Sequence, residues 1–401
     1  MEKIYPVLIG ADLNCYSVAR AFHEKYGAVS YAFGKVPIGH TANSRIVKFT
    51  QVADIDDEEA MMRVLREFAA AHGDGRKFLF GCTDEYAEAI IRHRDELSGD
   101  YFCNCSDYRL ARKLLFKESF YEMCDAYGLD HPKTLILKNG VSFPDGELPF
   151  GFPVIIKPSS SILYWRHPFD GMKKVYKAEN LAEAKETVDR IFGSGYPDSI
   201  IVQDFVPGGD DRMYVLTSYS GCDGKVKRMC LGHVLLEEHS PKARGNHAAI
   251  ITEYNEPLMT KAKEFLESVG YRGFSNFDIK YDERDGVFRF FEINLRQGRS
   301  NYYVTSSGQN VAETVVLDSE GKLSGCDMQK RSFFWHTVPR GVIYKYTADK
   351  ESVKKAKELA RKGLRASSLY YRFDLRMNLK RAFFVNVHNL RYYKKYRLYK
   401  V

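Results

Sequence analysis

The chain is short of the patterns that bind metals through sulfur or staple a secreted domain. Its eight cysteines, at 15, 82, 103, 105, 124, 222, 230 and 326, form no Cys-x-x-Cys pair and no cysteine–histidine spacing of the zinc type. That excludes a zinc module and a disulfide scaffold, and it points to reduced thiols in the cytosol. No apolar run approaches the ~18 residues of a membrane span, and the opening Met-Glu-Lys-Ile-Tyr-Pro lacks the apolar core of a signal peptide. Cytoplasmic residence follows as an expectation. The loop after Gly10 is not Gly-x-Gly-x-x-Gly, which weakens a dinucleotide oxidoreductase. Internal repeats and low-complexity tracts are also missing. With 44% hydrophobic and 28% charged residues, a disordered chain is excluded.

What is present is length and an uneven charge. At ~150 residues per domain, 401 residues imply two or three domains. The net charge of +8 divides sharply: residues 331–401 hold nine Arg and ten Lys against Asp349, Glu351, Glu358 and Asp374, a net +15, which leaves −7 for the first 330. The split suggests a soluble enzyme body with a basic, aromatic-rich, anion-facing appendage.

The N-terminal third alternates strands and helices. Residues 5–10 read as a strand running into a helix from Asn14. Residues 77–81 read as a second strand, followed by a helix that Thr83 caps and that runs through Arg92. Such alternation predicts a parallel sheet with ligands beyond the strand ends. Residues 106–127 read as one long helix, stopped by Gly128. Thereafter short strands are expected at 154–157, 199–205, 214–220, 228–236, 274–281 and 287–294, with helices at 181–192 and 257–269. The fold class is therefore α/β followed by α+β.

Three segments carry chemistry. In the hairpin Phe274-Ser-Asn-Phe-Asp-Ile-Lys-Tyr to Val287-Phe-Arg-Phe-Phe-Glu-Ile-Asn, a five-residue loop at 283–287 places Asp278 opposite Glu292 and Asn276 opposite Asn294. Facing carboxylates repel across a strand pair, and a divalent cation reverses that sign. Oxygen ligands alone suit Mg²⁺; a solvated hairpin face is the plain alternative. Lys157 closes the apolar strand Phe152-Pro-Val-Ile-Ile-Lys and precedes Ser159, Ser160 and Ser161, a loop suited to phosphate oxygens, though a strand-end lysine also simply snorkels to water. After the strand at 199–205, the backbone at Phe205 and Val206 offers an adenine edge its partners, and Asp210 or Asp211 suits ribose hydroxyls. His239 and His247 flank a loop with Lys242 and Arg244 that either grips an anion or is merely solvated. Cys103 and Cys105 fall on one strand face as packing residues, and Trp165 is a lid anchor or core.

Taken in order, these segments resemble the ATP-grasp ligases. The carriers are Lys117 in Leu-Phe-Lys-Glu-Ser-Phe, Ile-Ile-Lys157-Pro, Gln203-Asp-Phe-Val-Pro-Gly, and Asp278 with Glu292-Ile-Asn294. Three stretches are similar to the D-aspartate ligase type: Ile9-Gly-Ala-Asp-Leu-Asn14, Ile156-Lys-Pro-Ser-Ser-Ser-Ile-Leu-Tyr-Trp165 and Asn294-Leu-Arg-Gln-Gly-Arg-Ser-Asn-Tyr-Tyr303. The resemblance implies four parts: a Rossmann-like pre-ATP-grasp domain at 1–112, a small lid subdomain at 113–205, a catalytic subdomain at 206–320 and a basic extension at 321–401. It implies that Lys117 and Lys157 hold ATP phosphates, with Ser159, Ser160, Ser161 and Gln203 beside them, and that Phe205, Val206, Asp210 and Asp211 take the nucleoside. Asp278, Glu292 and Asn294 would coordinate Mg²⁺, with Mn²⁺ as a substitute.

Related D-amino-acid ligases carry an Arg where this chain has Asn276, so Arg296 or Arg299 is assigned the charge-neutralising role, with the Gly298 N–H at the oxyanion. The implied reaction joins an amino acid such as D-aspartate to the lysine amine of a nucleotide-linked muropeptide precursor through an acyl phosphate, releasing ADP and phosphate, under a lid at 159–171. Another small-peptide or amide ligase, or a non-catalytic nucleotide-binding module, are the competing readings. The tail is expected to dock the precursor or the anionic inner face of the membrane; nucleic-acid binding is the disfavoured alternative.

Overall fold

The computed structural model describes residues 2–141, 143–144, 148–240 and 243–399, except the side chains of Ser161 and Ile162. The chain forms two compact units. One comprises Met1–Arg112, Gly209–Ile279 and Ile293–Val401, the other Lys113–Gly208 and Lys280–Glu292.

The first unit opens on a four-stranded sheet in the order Val47–Gln51, Ser30–Gly34, Lys3–Ile9, Gly75–Gly81, every pairing parallel. Asp12 caps the following helix, Leu13–Tyr26, by accepting the Asn14 and Cys15 N–H groups, and Gly27 ends it at φ 65°. Every residue from Leu13 to Phe22 is buried, so all but the last turn of this helix is enclosed on all sides. The N-terminal alternation and the Thr83 cap of Asp84–Arg92 are observed as expected.

A second, eight-stranded sheet runs Val287–Asn294, Gly273–Asp282, Met213–Ser220, Val226–Glu237, His247–Glu253, Phe334–His336, Arg365–Ser367, with Asp327–Met328 beside Val226–Glu237. The last two strands of that order lie in the basic segment, which is therefore no appendage. Its apolar residues are core: Trp335 and Val385 join the cluster that holds Phe22 and Phe80. The long helix Leu379–Leu398, capped by Asn378, is fastened by a fully buried pair, Arg381 Nε to Asp374 Oδ2 at 3.1 Å. Asp374 also accepts from the Tyr16 and Ser44 hydroxyls and from the Arg45 N–H.

The second unit is an antiparallel sheet, Thr134–Leu137, Ile200–Asp204, Val154–Pro158, Tyr176–Ala178, covered by the helix Leu181–Gly193. Val154, Ile156, Val188, Ile191 and Tyr196 fill its core.

Three local expectations are corrected. The single helix at 106–127 is two, Tyr108–Leu115 and Lys117–Tyr127, because Phe116 is extended and the Ser119 hydroxyl donates to the Lys113 and Phe116 carbonyls. Cys103 and Cys105 lie outside the strands, in a loop that joins the first sheet at an isolated parallel Phe78–Phe102 bridge. The hairpin turn has four residues, 283–286, not five: Gly286, at φ 74°, donates back to the Asp282 carbonyl and pairing resumes at Val287.

Candidate functional site

In the second unit, the break at Phe116 starts the Lys117–Tyr127 helix with Lys117 at its first position. Its ammonium donates to Glu292 Oε2 at 2.8 Å. Lys157, at the inner end of its strand, donates to Gln203 Oε1 at 3.1 Å, and Gln203 is held in turn through Thr134 Oγ1 at 2.9 Å. The Lys157 side chain keeps some exposed surface while its ammonium lies deep among protein atoms. That enclosure, reinforced by the positive charge of Lys117 and only partly offset by Glu292, pulls its pKa down to about 7.

Ser159 carries a buried hydroxyl with no partner among the described residues. Ser160 has its N–H taken by the Tyr196 hydroxyl, and its own hydroxyl caps Leu163, so it builds the loop rather than lining it. The Ser161 side chain lies outside the described residues. Trp165 is 56% exposed, which removes its core reading, whereas neighbouring Tyr164 is buried against the Tyr176 hydroxyl. The Phe205 N–H donates to the Pro153 carbonyl and the Val206 carbonyl accepts from Lys280. An adenine edge would therefore have to use the Phe205 carbonyl and the Val206 N–H.

In the first unit, Asn294 Nδ2 approaches Asp278 Oδ2 at 3.4 Å and the Asn276 carbonyl at 3.3 Å. Asn276 is buried, its Oδ1 accepting from Thr217 Oγ1 at 2.8 Å. A Cβ on Gly298 would stand 2.6 Å from that same oxygen, so residue 298 has to be glycine for the Asn276 pocket to stay closed. Arg296 is clamped by Asp84, Nε to Oδ1 at 2.8 Å and Nη2 to Oδ2 at 3.1 Å. Arg299 pairs with Glu238 at 3.2 Å. Asp12, whose carboxyl burial pushes upward in pKa, lies within the fields of both arginines. Asp210 is occupied, one oxygen accepting from the Glu237 N–H and from His239 Nε2, while Asp211 is held at its backbone by His233. His247 is buried and kept neutral, its pKa down to about 4; Lys242 lies outside the described residues.

Asn14 explains why the first and last resembling stretches need each other. Its Nδ2 donates to the Cys82 and Gln297 carbonyls at 2.9 and 3.1 Å, and its Oδ1 accepts from Asn301. One helix start thus fixes the loop that carries Gly298 and Arg299.

The sequence is 38% identical to a D-aspartate ligase of Enterococcus faecium (strain Aus0004) over 388 residues, 93% of this chain and 91% of that protein. The chain belongs to the D-aspartate ligase family. No family model matches it. Among solved structures, this ligase is similar to an L-amino acid ligase from Bacillus licheniformis (TM-score 0.56, 16% identity, 84% of this chain and 81% of that one). It is also similar to N5-carboxyaminoimidazole synthetase from Staphylococcus aureus (TM-score 0.58, 14% identity, 82% and 81%). A biotin carboxylase domain from Hydrogenobacter thermophilus, solved with MgADP, gives TM-score 0.58 at 13% identity over 82% and 73%. The fold of this ligase is ATP-grasp, and it is an ATP-dependent carboxylate–amine ligase. Among the described residues no helix is long and apolar enough to cross a membrane.

Sequence reasoning missed Glu238, Tyr392, His40 and His388. Glu238 is 3% exposed and accepts from the Tyr392 hydroxyl at 3.1 Å as well as facing Arg299. Nothing local in the sequence links residues 40, 238, 299 and 392; only the packing of the last helix does. Among the described residues no group of three or more His, Cys, Asp or Glu gathers. Asp278 and Asn294 in the first unit, and Glu292 in the second, are each hard oxygen donors, without sulfur or imidazole, the donor type that suits Mg²⁺.

Proposed function

We propose that this ligase activates a carboxyl group of D-aspartate with ATP and joins it to the lysine amine of a nucleotide-linked muropeptide precursor. The observation that carries the reading is the 38% identity to a D-aspartate ligase along 93% of the chain. An oxygen of the acid attacks the γ-phosphorus, the bond to the β-phosphate bridging oxygen breaks, and ADP leaves. The amine then adds to the acyl phosphate carbonyl, loses a proton, and expels phosphate. Lys117, Lys157 and the Ser159 hydroxyl bind phosphate oxygens. The Phe205 carbonyl and Val206 N–H take the adenine edge, and Asp211, rather than the occupied Asp210, takes the ribose. Asp278, Glu292 and Asn294 would hold Mg²⁺, or Mn²⁺, which when bound spreads the phosphates' negative charge. Arg299 and the Gly298 N–H are assigned to the acyl phosphate and its tetrahedral adduct, because Arg296 is held by two contacts to Asp84 whereas Arg299 has one contact to Glu238. The segment 159–171 closes as a lid against hydrolysis, within the four-part division at 112, 205 and 320.

The test is an amino-acid panel with ATP, Mg²⁺ and a lysine-containing muropeptide precursor, reading ADP, AMP and phosphate. D-aspartate with acceptor should give ADP and phosphate in equal amounts; amine-dependent AMP and pyrophosphate would overturn the acyl phosphate. Glu292→Ala should lose turnover by roughly 100-fold or more, because metal charge stabilisation is worth several kcal/mol.

We further propose that the Leu379–Leu398 helix meets an anionic membrane leaflet. Leu379, Phe383, Leu390 and Leu398 are 84%, 72%, 68% and 62% exposed, at spacings that share one helix face. Exposed Lys380, Arg391, Lys394 and Arg397 flank them, the composition of an interfacial helix. Full-length protein should co-sediment with phosphatidylserine vesicles and not with phosphatidylcholine ones, and a Phe383→Glu, Leu390→Glu variant should not. Preference for a single-stranded oligonucleotide over either vesicle would refute the leaflet.

A further inference from the structure

His40 and His388 meet edge to face, ring centroids 5.2 Å apart at 82°, in a part of the first unit that no motif marks. Both ring nitrogens of His40, and Nε2 of His388, are buried without a hydrogen-bond partner among the described residues. Three orphaned imidazole nitrogens at one spot are unusual, because buried polar atoms are nearly always bonded. Packing does not leave them loose. Arg381 grips the Gly39 and His40 carbonyls at 2.7 and 2.6 Å, and Phe384 lies across His40. His388 stacks edgewise on Tyr392, whose hydroxyl reaches the Glu238 carboxylate that pairs with Arg299.

The surroundings hold more cations than anions. Arg299, Arg381, Arg391 and Lys395 act on His388, and Arg299 and Arg381 on His40, against the carboxylates of Glu238, which pairs with Arg299, and Asp374, which pairs with Arg381. Burial first, and those charges after it, hold both rings neutral, so each offers one N–H. A divalent cation is repelled there. A group with one negative charge and two acceptor oxygens suits it.

We propose that His40 and His388, beside Arg299, bind the carboxylate of a dicarboxylic amino-acid substrate that is not phosphorylated, and so select dicarboxylic over monocarboxylic acids. The inference rests on the ligase reading above and assigns it a specificity element on the last helix. One imidazole N–H donates to each carboxylate oxygen. The remaining His40 nitrogen accepts, and the substrate ammonium is a suitable donor. A phosphate of the amine acceptor is the competing anion; two neutral donors and a nearby carboxylate favour the singly charged ligand.

The experiment compares wild type with His40→Ala, His388→Ala and the volume-keeping His388→Gln, measuring KM for D-aspartate, D-alanine, ATP and the muropeptide precursor. Removing a hydrogen bond to a charged group should raise the D-aspartate KM by roughly 10- to 100-fold. The other three KM values should stay within twofold, as should kcat. An unchanged D-aspartate KM, an equal rise for D-alanine, or a rise for the precursor alone overturns the proposal. Turnover is not needed to decide it. D-aspartate should raise the melting temperature of wild type and not of His388→Gln, and equal shifts in both would refute the histidines. A wild type that cleaves no ATP with any acid would defeat the ligase reading separately.

Discussion

Lys157, proposed above as a phosphate ligand, is the residue whose ionisation should report on a bound nucleotide. Its folded pKa of about 7 lies below the 10.5 of an unfolded lysine, so between those values the folded state holds fewer protons. Stability therefore rises with pH across that window, and the full cost of the buried charge is present below about 7. A bound phosphate reverses this by favouring the charged form. At pH 8, nucleotide binding should take up about one proton, seen as a dependence of binding enthalpy on the ionisation enthalpy of the buffer; identical enthalpies in phosphate and Tris would refute it. Lys157 was legible because a lysine ending an apolar strand is costly without an anion. Ser160 was not, because its N–H is claimed by Tyr196, thirty-six residues on. Asp210 likewise looked available beside Asp211 until His239 and Glu237 were folded onto it.

At the scale of elements, the Leu379–Leu398 helix decides most. Arg381 and Asp374 are both 0% exposed, and the guanidinium lies 4.1 Å from the Tyr16 ring centroid. Removing one member of such a pair strands the other, at a cost of about 3–5 kcal/mol. Arg381→Met should lower stability by that amount in a denaturant melt. Adding Asp374→Leu should restore part of the loss, since the stranded carboxylate is then gone; an additive double variant would show that the two do not act as a pair. Its N-cap, Asn378, and the absence of Gly or Pro for twenty residues were visible in the sequence. Strands with apolar runs, such as Val226–Glu237, were read nearly to the residue, whereas Phe334–His336 and Arg365–Ser367 are three residues each and too short to show a period.

For the whole molecule, the charge division of −7 and +15 is real, but it is not a division into body and tail. Net charge takes no account of apolar residues, and the same basic segment places Trp335, Val342, Ile343 and Tyr392 in the core. A truncation after residue 330 should accordingly fail to give a cooperatively melting protein, checked by calorimetry and dye binding. A soluble truncation with an unchanged transition would show that the segment is dispensable after all. The same interleaving explains why the −7 portion looked self-sufficient: its strands pair well among themselves, and the two that finish the sheet carry little sequence signal.

The first unit is assembled from three stretches, the last of which ends beyond Tyr396, while the second unit is complete at Glu292. During synthesis at ~5–20 residues per second, the second unit can finish while the ribosome still holds the helix that seats His388. Until that helix emerges, Tyr16, Gly39 and the loop around Glu238 wait without their cover. A chain stopped inside the Leu379–Leu398 helix before Tyr392 should therefore be not a trimmed ligase but a client of chaperones and proteases, since the corner around His40 and His388 is completed only by the last helix of the first unit.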